Sequence, residues 1–282
     1  MTITPAAPFA IERAARPDVR RAVEPVATGE VVRFSRITSA ELFAPLPPVP
    51  WLVQALDMAP GAPTLFAGYG YTGKSLAAQA LAIAVASGDL DAWGLFPVRH
   101  GRVLHIDYEQ GRRLTCERYQ DLCRGYGIAP QDLAGRLEVV ALPPHYLDDP
   151  GAEDLLAREL DGHALCIVDP FRGAAPATDE NDSRAVRRVL DAFTRASERT
   201  GCVVTDIHHT RKPTEGAPGG RKMAIRGSGD FYSAHATVLQ FDAQRGRPVV
   251  ISHEKARVSG RLHPDFELVI EAADEGGLRV IA

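Results

Sequence analysis

The sequence predicts an α/β fold in which a mostly parallel sheet is flanked by helices and extended by antiparallel strands at its C-terminal end. From Thr64 onward, short apolar runs alternate with stretches of helical length. A glycine-rich motif, GYGYTGKS, lies between the first apolar run and the first helical stretch. The last apolar runs follow one another without a helical stretch between them. Strand–helix alternation is typical of parallel sheets, whereas consecutive strands favour antiparallel pairing.

Each element is predicted from its apolar spacing and from the glycines and prolines that flank it. Strands are expected at Thr64–Ala67, Arg102–Tyr108, Leu137–Leu142, Leu165–Asp169 and Cys202–His208, and helices at Lys74–Ser87, Arg112–Arg124, Ala152–Leu160 and Asp182–Arg199. The basic stretch Arg211–Lys222 contains glycines and prolines but no apolar anchor, and is expected to be a mobile surface loop. The C-terminal strands are expected at Thr237–Phe241, Val249–His253 and Phe266–Glu271, with a turn near Ser259–Gly260.

Residues 1–50 are predicted to form an N-terminal arm, and residues 51–282 the main domain. The arm mixes both charge signs without clear periodicity and ends in the proline-dense stretch Phe43–Trp51. Proline at this density excludes a helix interior, so the stretch is interpreted as an extended linker. Packing on a neighbouring subunit and simple disorder are both compatible with the composition of the arm.

Composition excludes several classes of protein. The chain has 282 residues, 45% of them apolar, and a net charge of −4, which argues against nucleic-acid binding over the whole surface but leaves room for a local basic groove. Four cysteines without CxxC spacing favour neither a zinc ribbon nor a disulfide framework. The N-terminus lacks the apolar core of a secretory signal, and no apolar run has membrane-spanning length. We therefore expect a soluble cytoplasmic protein with no membrane partner.

The motif GxxxxGK[ST] predicts a phosphate-binding P-loop, because it follows an apolar strand and begins a helix. Its members are Gly68, Tyr69, Gly70, Tyr71, Thr72, Gly73, Lys74 and Ser75. Glycines let successive backbone N–H groups turn toward phosphate oxygens, and the helix N-terminus adds partial positive charge. Lys74 is expected to reach the β- and γ-phosphates, and the Ser75 hydroxyl to ligate Mg²⁺. The motif thus predicts a nucleotide-triphosphate-binding protein with ATP and Mg²⁺ as cofactors.

Two carboxylates are candidates for the remainder of a hydrolytic site. Asp169 ends the apolar strand LCIVD, the Walker B pattern, and is expected to hold the Mg²⁺ shell. Proline follows it, so the base that polarises the attacking water must come from another strand. Glu109, just after the strand that ends near Tyr108, is the preferred candidate. Asp107, two residues earlier, and a structural role for Glu109 are the alternatives.

The strand Cys202–His208 ends in a histidine pair, His208 and His209. Neighbouring residues of a strand point to opposite faces, so the pair is a poor chelate for one metal ion. One of them, His208 in preference to His209, is assigned a phosphate-sensing role. A structural histidine is the main alternative.

With these motifs in place, the chain resembles the RecA-like P-loop ATPases, and within them the RepA-type hexameric replicative helicases and their AAA_25 relatives. The resemblance covers about residues 51–251 and is carried by GYGYTGKS, HIDYEQG, CIVDPFRG, GCVVTDIHHTRK and IRGSGDFYSAHATVLQF. It implies a RecA-like core, with Glu109 activating water, Asp169 handling Mg²⁺, and His208 or His209 sensing phosphate.

The resemblance also implies that subunits complete one another's sites. In that family an arginine before Gly-Ser acts as an arginine finger on the neighbouring subunit's nucleotide, and Arg226 has this position. Lys255 and Arg257 form the Lys-x-Arg pattern that related ring ATPases of the DnaB and KaiC kind use across the interface. Either set, or both, is expected to act in trans, within a homo-oligomer that the family predicts to be a hexamer.

Two functions remain open at this point. A ring-forming helicase or translocase on single-stranded DNA predicts basic loops, and Arg211–Lys222 has four cations and one acid, although it lacks aromatic residues. A nucleotide-gated regulatory or scaffold ATPase without unwinding activity is the alternative, because no DNA-binding or primase-binding domain is recognisable and the net charge is negative. A small-molecule kinase fits less well.

Overall fold

The computed structural model describes residues 35–210, 229–274 and 276–282. The chain divides into two units, Met1–Pro47 and Pro48–Ala282. The described part of the first unit contains one short helix, α1 (Ser39–Leu42), which begins with a capping box between Thr38 and Glu41. Its apolar side chains are exposed. The predicted loop Arg211–Lys222 and the candidate finger Arg226 lie outside the described residues.

The second unit contains the strands and the longer helices. Its described strands are β1 (Thr64–Gly68), β2 (Arg102–Asp107), β3 (Leu137–Ala141), β4 (His163–Asp169), β5 (Val203–His209), β6 (Thr237–Ala243), β7 (Val249–Ala256), β8 (Phe266–Ala272) and β9 (Leu278–Ile281). Its described helices are α2 (Lys74–Ser87), α3 (Arg112–Tyr126), α4 (Ala152–Glu159), α5 (Phe171–Ala174), α6 (Ser183–Thr200) and α7 (Gly229–Ala234). Short 3₁₀ turns lie at Gln54–Leu56 and Pro130–Leu133. Strand β9 and the short helices α5 and α7 were not predicted from the sequence.

The strands form one sheet in the order β3-β2-β4-β5-β1-β6-β7-β8-β9. Across the sheet, the six strands β3, β2, β4, β5, β1 and β6 run parallel to one another. Strands β6, β7, β8 and β9 pair in antiparallel fashion. This arrangement confirms the predicted fold class. Because the parallel strands share a direction, their C-terminal ends meet at one edge, where Gly68 is level with His209 and Asp107 with Asp169.

Helix α2 is apolar around its whole circumference, and nearly all of it is buried. A helix of this composition must be covered on every side. One side packs on the sheet, and the other is covered by Trp93 and by the C-terminal strands, whose Leu268 and Val280 belong to the same core cluster. The Trp93 indole Nε1 donates to the Ala77 carbonyl at 2.9 Å. The far end of the sheet therefore curls over α2, which strand β9 contacts directly.

The β8–β9 hairpin is anchored to the end of α3. The Tyr126 hydroxyl donates to the Val280 carbonyl at 2.7 Å and accepts from the Val280 amide at 3.0 Å. A side chain at Gly125 would overlap the Leu278 carbonyl, with its Cβ 2.0 Å from that oxygen. Glycine at position 125 therefore permits this close approach of strand and helix.

The opposite face of the sheet is covered by α4, α6 and α7 around a second core. Phe171, Phe193 and Phe231 pack there with Val186 and Leu190 of α6. Helix α6 begins with the Asp182 carboxylate accepting two backbone amides, and it is strongly amphipathic. Among the described residues, no helix is long and apolar enough to cross a membrane.

Candidate functional site

The P-loop connects the end of β1 to the start of α2 at the centre of the sheet. It turns through left-handed conformations at Tyr71 (φ 65°) and Gly73 (φ 80°). The Lys74 ammonium is folded back over the loop, where it donates to the Gly68 carbonyl at 2.9 Å, to the Tyr69 carbonyl, and to the Thr72 hydroxyl at 3.2 Å. The eight predicted residues are thus brought together as a loop around one ammonium.

Lys74 is buried, and burial lowers the pKa of its ammonium to about 8, although Asp169 and Glu109 oppose the shift. Desolvation is therefore the larger effect, and the loop holds a cation that the surrounding protein only partly compensates. A phosphate anion would supply the missing charge. The P-loop is electrostatically suited to bind one.

The first glycine of the loop is required by packing. A Cβ at Gly68 would lie 2.7 Å from the Phe241 carbonyl oxygen and 3.0 Å from the Thr72 hydroxyl, whereas a Cβ at Gly70 would meet no atom of the described residues within 4 Å. We expect Gly68→Ala to lower the free energy of unfolding by about 1 to 3 kcal/mol, because the backbone must shift to admit the methyl group. Gly70→Ala is the matched control, expected to change it by less than about 0.5 kcal/mol. Urea unfolding without nucleotide measures both, and equal effects would contradict the packing argument.

Asp169 ends β4 directly beside the P-loop helix. It is 1% exposed, and neither carboxylate oxygen accepts a hydrogen bond of standard geometry from the described residues. Burial raises the pKa of this carboxyl to about 7, and the facing Ser75 hydroxyl partly offsets that rise. A buried carboxylate with free lone pairs next to a hydroxyl is a donor set that suits Mg²⁺. Ser75 and Asp169 therefore fit the metal role assigned to them.

The structure separates the two carboxylates that follow β2. Asp107 is buried and committed to its own loop: Oδ1 accepts the Glu109 and Gln110 amides at 3.0 and 2.8 Å, and Oδ2 accepts the Thr115 hydroxyl at 2.8 Å. Glu109 extends from that loop toward solvent with about half of its side chain exposed. Its charge nonetheless acts on both Lys74 and Asp169. Asp107 thus shapes the loop, and Glu109 is free to act on a substrate.

The two histidines at the end of β5 lie on opposite faces. The His209 Nε2 is 3.5 Å from a Glu109 carboxylate oxygen, at the edge where the P-loop lies. His208 is buried on the other face, with its ring stacked on Phe231 at a centroid distance of 3.9 Å. Burial lowers the pKa of His208 to about 3, so this ring is neutral. The geometry therefore places His209, not the preferred His208, beside the candidate base.

A cavity of about 1010 Å³ opens beside the P-loop. The exposed Tyr71 and the half-buried Tyr69 line one side, and the β6–β7 turn contributes Arg245 and Arg247 to the other. Ile270 of β8 closes it near Gly73, where a Cβ would lie 2.7 Å from the Ile270 Cδ1. Sequence reasoning missed this contribution of the β6–β7 turn, although its sequence RGRP, basic and turn-forming, was a usable signal.

Lys255 and Arg257 lie at the end of β7, where they bind α7 of their own chain. The Lys255 ammonium donates to the Tyr232 carbonyl at 2.6 Å and to the Ser233 carbonyl at 3.1 Å, and the Arg257 guanidinium donates to the Ser233 carbonyl. Burial and the nearby Arg257 and Arg187 lower the pKa of Lys255 to about 8. Their expected action on a neighbouring subunit stays a prediction.

Comparison with known proteins identifies the family of the chain. Residues 28–215, two thirds of the chain, match the family AAA_25, described as an AAA domain. None of the curated proteins compared matches the chain.

Two solved structures resemble the fold. A structure of the RadB recombinase aligns with a TM-score of 0.57 and 18% identity over 80% of this chain and 93% of that one. A structure of a DnaB-like replicative helicase and its interactions with primase aligns with a TM-score of 0.57 and 12% identity over 78% of this chain. This chain spans 57% of the length of that helicase chain. At these identities the likeness shows a shared fold. The chain belongs to the AAA_25 family of AAA domains and has the architecture of a RecA-like P-loop NTPase.

Proposed function

We propose that the protein hydrolyses ATP in a Mg²⁺-dependent reaction. The observation that carries the proposal is the convergence of Lys74, Asp169 and Glu109 at one sheet edge, close enough for each carboxylate to shift the pKa of Lys74. A buried cation and a buried carboxylate whose charges the protein only partly compensates are costly in a folded protein, and a bound phosphate and divalent cation would offset that cost.

Each residue has a chemical task in this proposal. The backbone amides of the P-loop and the Lys74 ammonium hold the phosphate oxygens. Ser75 and Asp169 would hold Mg²⁺, which would neutralise charge on the phosphates when bound. Glu109 accepts a proton from a water molecule while the water oxygen attacks the γ-phosphorus. The bond between the γ-phosphorus and the oxygen of the departing ADP breaks. His209, 3.5 Å from Glu109, orients that carboxylate and is close enough to respond to the γ-phosphate.

The cavity beside the P-loop is assigned to the nucleoside part of ATP. The Tyr69 and Tyr71 rings and the guanidinium groups of Arg245 and Arg247 offer flat surfaces for a base, and Ile270 gives an apolar wall. This assignment extends the predicted cofactor contacts beyond the P-loop to the β6–β7 turn.

The wider role that we propose is a ring-forming helicase or translocase on single-stranded DNA. The fold is shared with a recombinase and with a DnaB-like replicative helicase. Arg226, Lys255 and Arg257 would act on the neighbouring subunit's nucleotide, within a homo-oligomer expected to be a hexamer. The alternative is a regulatory or scaffold ATPase that assembles without moving DNA.

Single-stranded DNA distinguishes these roles. We expect oligo(dT) at low salt to raise ATP turnover by about tenfold or more if the protein is a motor, because DNA contacts and hydrolysis are then coupled. Double-stranded DNA of the same length is the control. Unchanged turnover, together with no binding of oligo(dT) in fluorescence anisotropy, would contradict the motor and leave the scaffold ATPase.

A further inference from the structure

Glu109, the proposed base, lies in the short connection of residues 108–111 between β2 and α3. About half of its side chain is exposed, and its carboxylate faces the His209 ring at 3.5 Å. A half-exposed side chain takes its position mainly from the backbone that carries it. The placement of Glu109 therefore depends on what holds the two ends of this connection.

The first contact joins Thr115 of α3 to Asp107 of β2. The buried Thr115 hydroxyl donates to the Asp107 Oδ2 at 2.8 Å, while Oδ1 of the same carboxylate accepts the Glu109 and Gln110 amides. The Thr115 amide donates to the Gly111 carbonyl at 3.3 Å. Thr115 thus holds the carboxylate that shapes the connection and also the residue that ends it.

The second contact lies deeper and joins Tyr119 of α3 to His105 of β2. The Tyr119 hydroxyl is 2.9 Å from the His105 Nδ1, and both side chains are buried. Burial lowers the pKa of His105 to about 4, although Asp107 opposes the shift. Burial, and then the charges of Asp169 and Asp107, raise the pKa of the Tyr119 hydroxyl well above its ordinary value. Both groups are therefore neutral and share one hydrogen bond in the interior, where the loss of a partner is costly.

The two contacts have the same spacing on the helix and on the strand. Thr115 and Tyr119 are one helical turn apart, about 6 Å along the axis of α3. Asp107 and His105 are two residues apart on one face of β2, about 6.6 Å along the strand. Because the helix runs back along the strand, both contacts form at once, and together they fix the position and the direction of α3. A single contact would leave the helix free to turn about it.

The buried face of α3 is unusual in carrying these hydroxyls. Its buried residues are Thr115, Tyr119, Leu122 and Gly125, so the half of the face nearest to Glu109 is polar. Apolar side chains at these positions would bury as much surface, but they would not fix the helix in one orientation. Buried hydrogen bonds whose partners are both present make a unique arrangement rigid. The polar half of this face is therefore suited to positioning.

We propose that Thr115 and Tyr119 are positioning residues for the base: through Asp107 and His105 they fix α3 on β2 and thereby hold Glu109 where it activates water. This proposal rests on the proposed hydrolysis of ATP. It gives a task to the buried His105–Tyr119 pair, which holds neither phosphate nor metal in that reaction.

The test uses the full chain with substitutions that remove single hydroxyls. Tyr119→Phe and Thr115→Val each remove one contact and retain the shape of the side chain, and Thr115→Ser keeps the hydroxyl. Tyr126→Phe is the matched control, because this tyrosine lies on the same helix but its hydroxyl binds Val280 at the far end. Thermal unfolding of each variant gives the destabilisation that the loss of a hydroxyl alone produces.

Steady-state kinetics are the first readout. Tyr119→Phe and Thr115→Val should lower kcat by about tenfold or more while KM for ATP changes by less than about twofold, because a misplaced base slows the chemical step without weakening binding. Thr115→Ser and Tyr126→Phe should keep kcat within about twofold of the wild type. Equal losses of kcat in Tyr119→Phe and Tyr126→Phe, or no difference between Thr115→Ser and Thr115→Val, would overturn the proposal.

The same substitution in the Glu109→Gln background shows whether Tyr119 acts through the base. Residues that act through one group have effects that do not add. Tyr119→Phe should therefore lower the residual turnover of Glu109→Gln by less than about twofold. A further tenfold loss in that background would show that Tyr119 acts independently of Glu109 and would contradict the proposal.

Hydrogen exchange followed by NMR is the readout that does not depend on turnover. The Glu109 and Gln110 amides, which Asp107 accepts, should exchange about tenfold faster or more in Tyr119→Phe, while the amides of β1 keep their wild-type rates. Tyr126→Phe should leave both sets within about twofold. A uniform rise over the whole sheet would indicate a merely structural role and contradict the proposal. If the wild-type chain binds ATP but does not hydrolyse it, the proposed ATPase activity fails, and the exchange rates still decide whether α3 holds the connection.

Discussion

Glu109→Gln is expected to reduce ATP turnover by about 10² to 10⁴-fold while ATP binding is retained, because a general base contributes that much to water activation. The amide keeps the size of the side chain but cannot accept the proton. The Asp107 carboxylate cannot substitute for it, because three hydrogen bonds hold it in the loop. Phosphate release measures turnover, and equilibrium titration with a fluorescent ATP analogue measures binding.

Glu117→Gln is the matched control for this experiment. Glu117 is an exposed glutamate on α3 that pairs with Arg113 one helical turn earlier, a surface ion pair worth little. Its removal should leave turnover within about twofold of the wild type, as for surface substitutions in general. If Glu109→Gln behaves like Glu117→Gln, the assignment of the base is wrong. Loss of both binding and turnover would instead indicate that Glu109 holds the loop.

Asp169→Asn is expected to abolish Mg²⁺-dependent turnover and at the same time to stabilise the protein measured in EDTA without nucleotide. Burial raises the pKa of this carboxyl from 3.8 to about 7, so the folded chain binds its proton more tightly than the unfolded chain between these values. Stability therefore falls as pH rises through that window and is constant above it. The full rise in the pKa of Asp169 corresponds to a loss of roughly 4 kcal/mol in the free energy of unfolding.

The stabilisation expected from Asp169→Asn is smaller than this value, because the substitution also removes a negative charge that supports the buried Lys74 ammonium. We therefore expect Asp169→Asn to raise the free energy of unfolding at pH 8 by about 1 to 3 kcal/mol, with a smaller difference at pH 5. Urea unfolding at both pH values measures it. Asp107→Asn is the control and is expected to lower the free energy of unfolding, because the Asp107 carboxylate accepts charge-assisted hydrogen bonds. A destabilised Asp169→Asn variant with no pH dependence would contradict this account.

The buried charges that suit this site to its ligands lower the stability of the ligand-free protein. Asp169 and Lys74 are buried charged groups that the protein only partly compensates, and a substitution can remove that cost. Proteins commonly retain such groups where a ligand completes them. Nucleotide and Mg²⁺ are therefore expected to stabilise the wild-type chain more than the Asp169→Asn variant.

The sequence predicted well where local pattern and backbone geometry coincide. The bounds of α2 match the structure, because Gly73 and Gly88 stop the helix at both ends. The strands from β1 to β8 lie where apolar runs predicted them, and the parallel part follows from the helices between them. Strand β9 was missed because it is a short strand, LRVI, beyond two glycines. In the structure, β9 supplies part of the cover that the uniformly apolar helix α2 requires.

For the site, the sequence predicted which residues carry the chemistry. The P-loop, Asp169 and Glu109 follow from motifs, because the C-terminal ends of parallel strands necessarily meet at one edge. Tertiary structure decided where neighbouring residues of the same type lie and what they contact. Asp107 and Glu109 differ in which backbone amides reach them, and His208 and His209 differ in the face of β5 they occupy. A sequence gives the alternation of faces along a strand, but only packing decides what lies on each face.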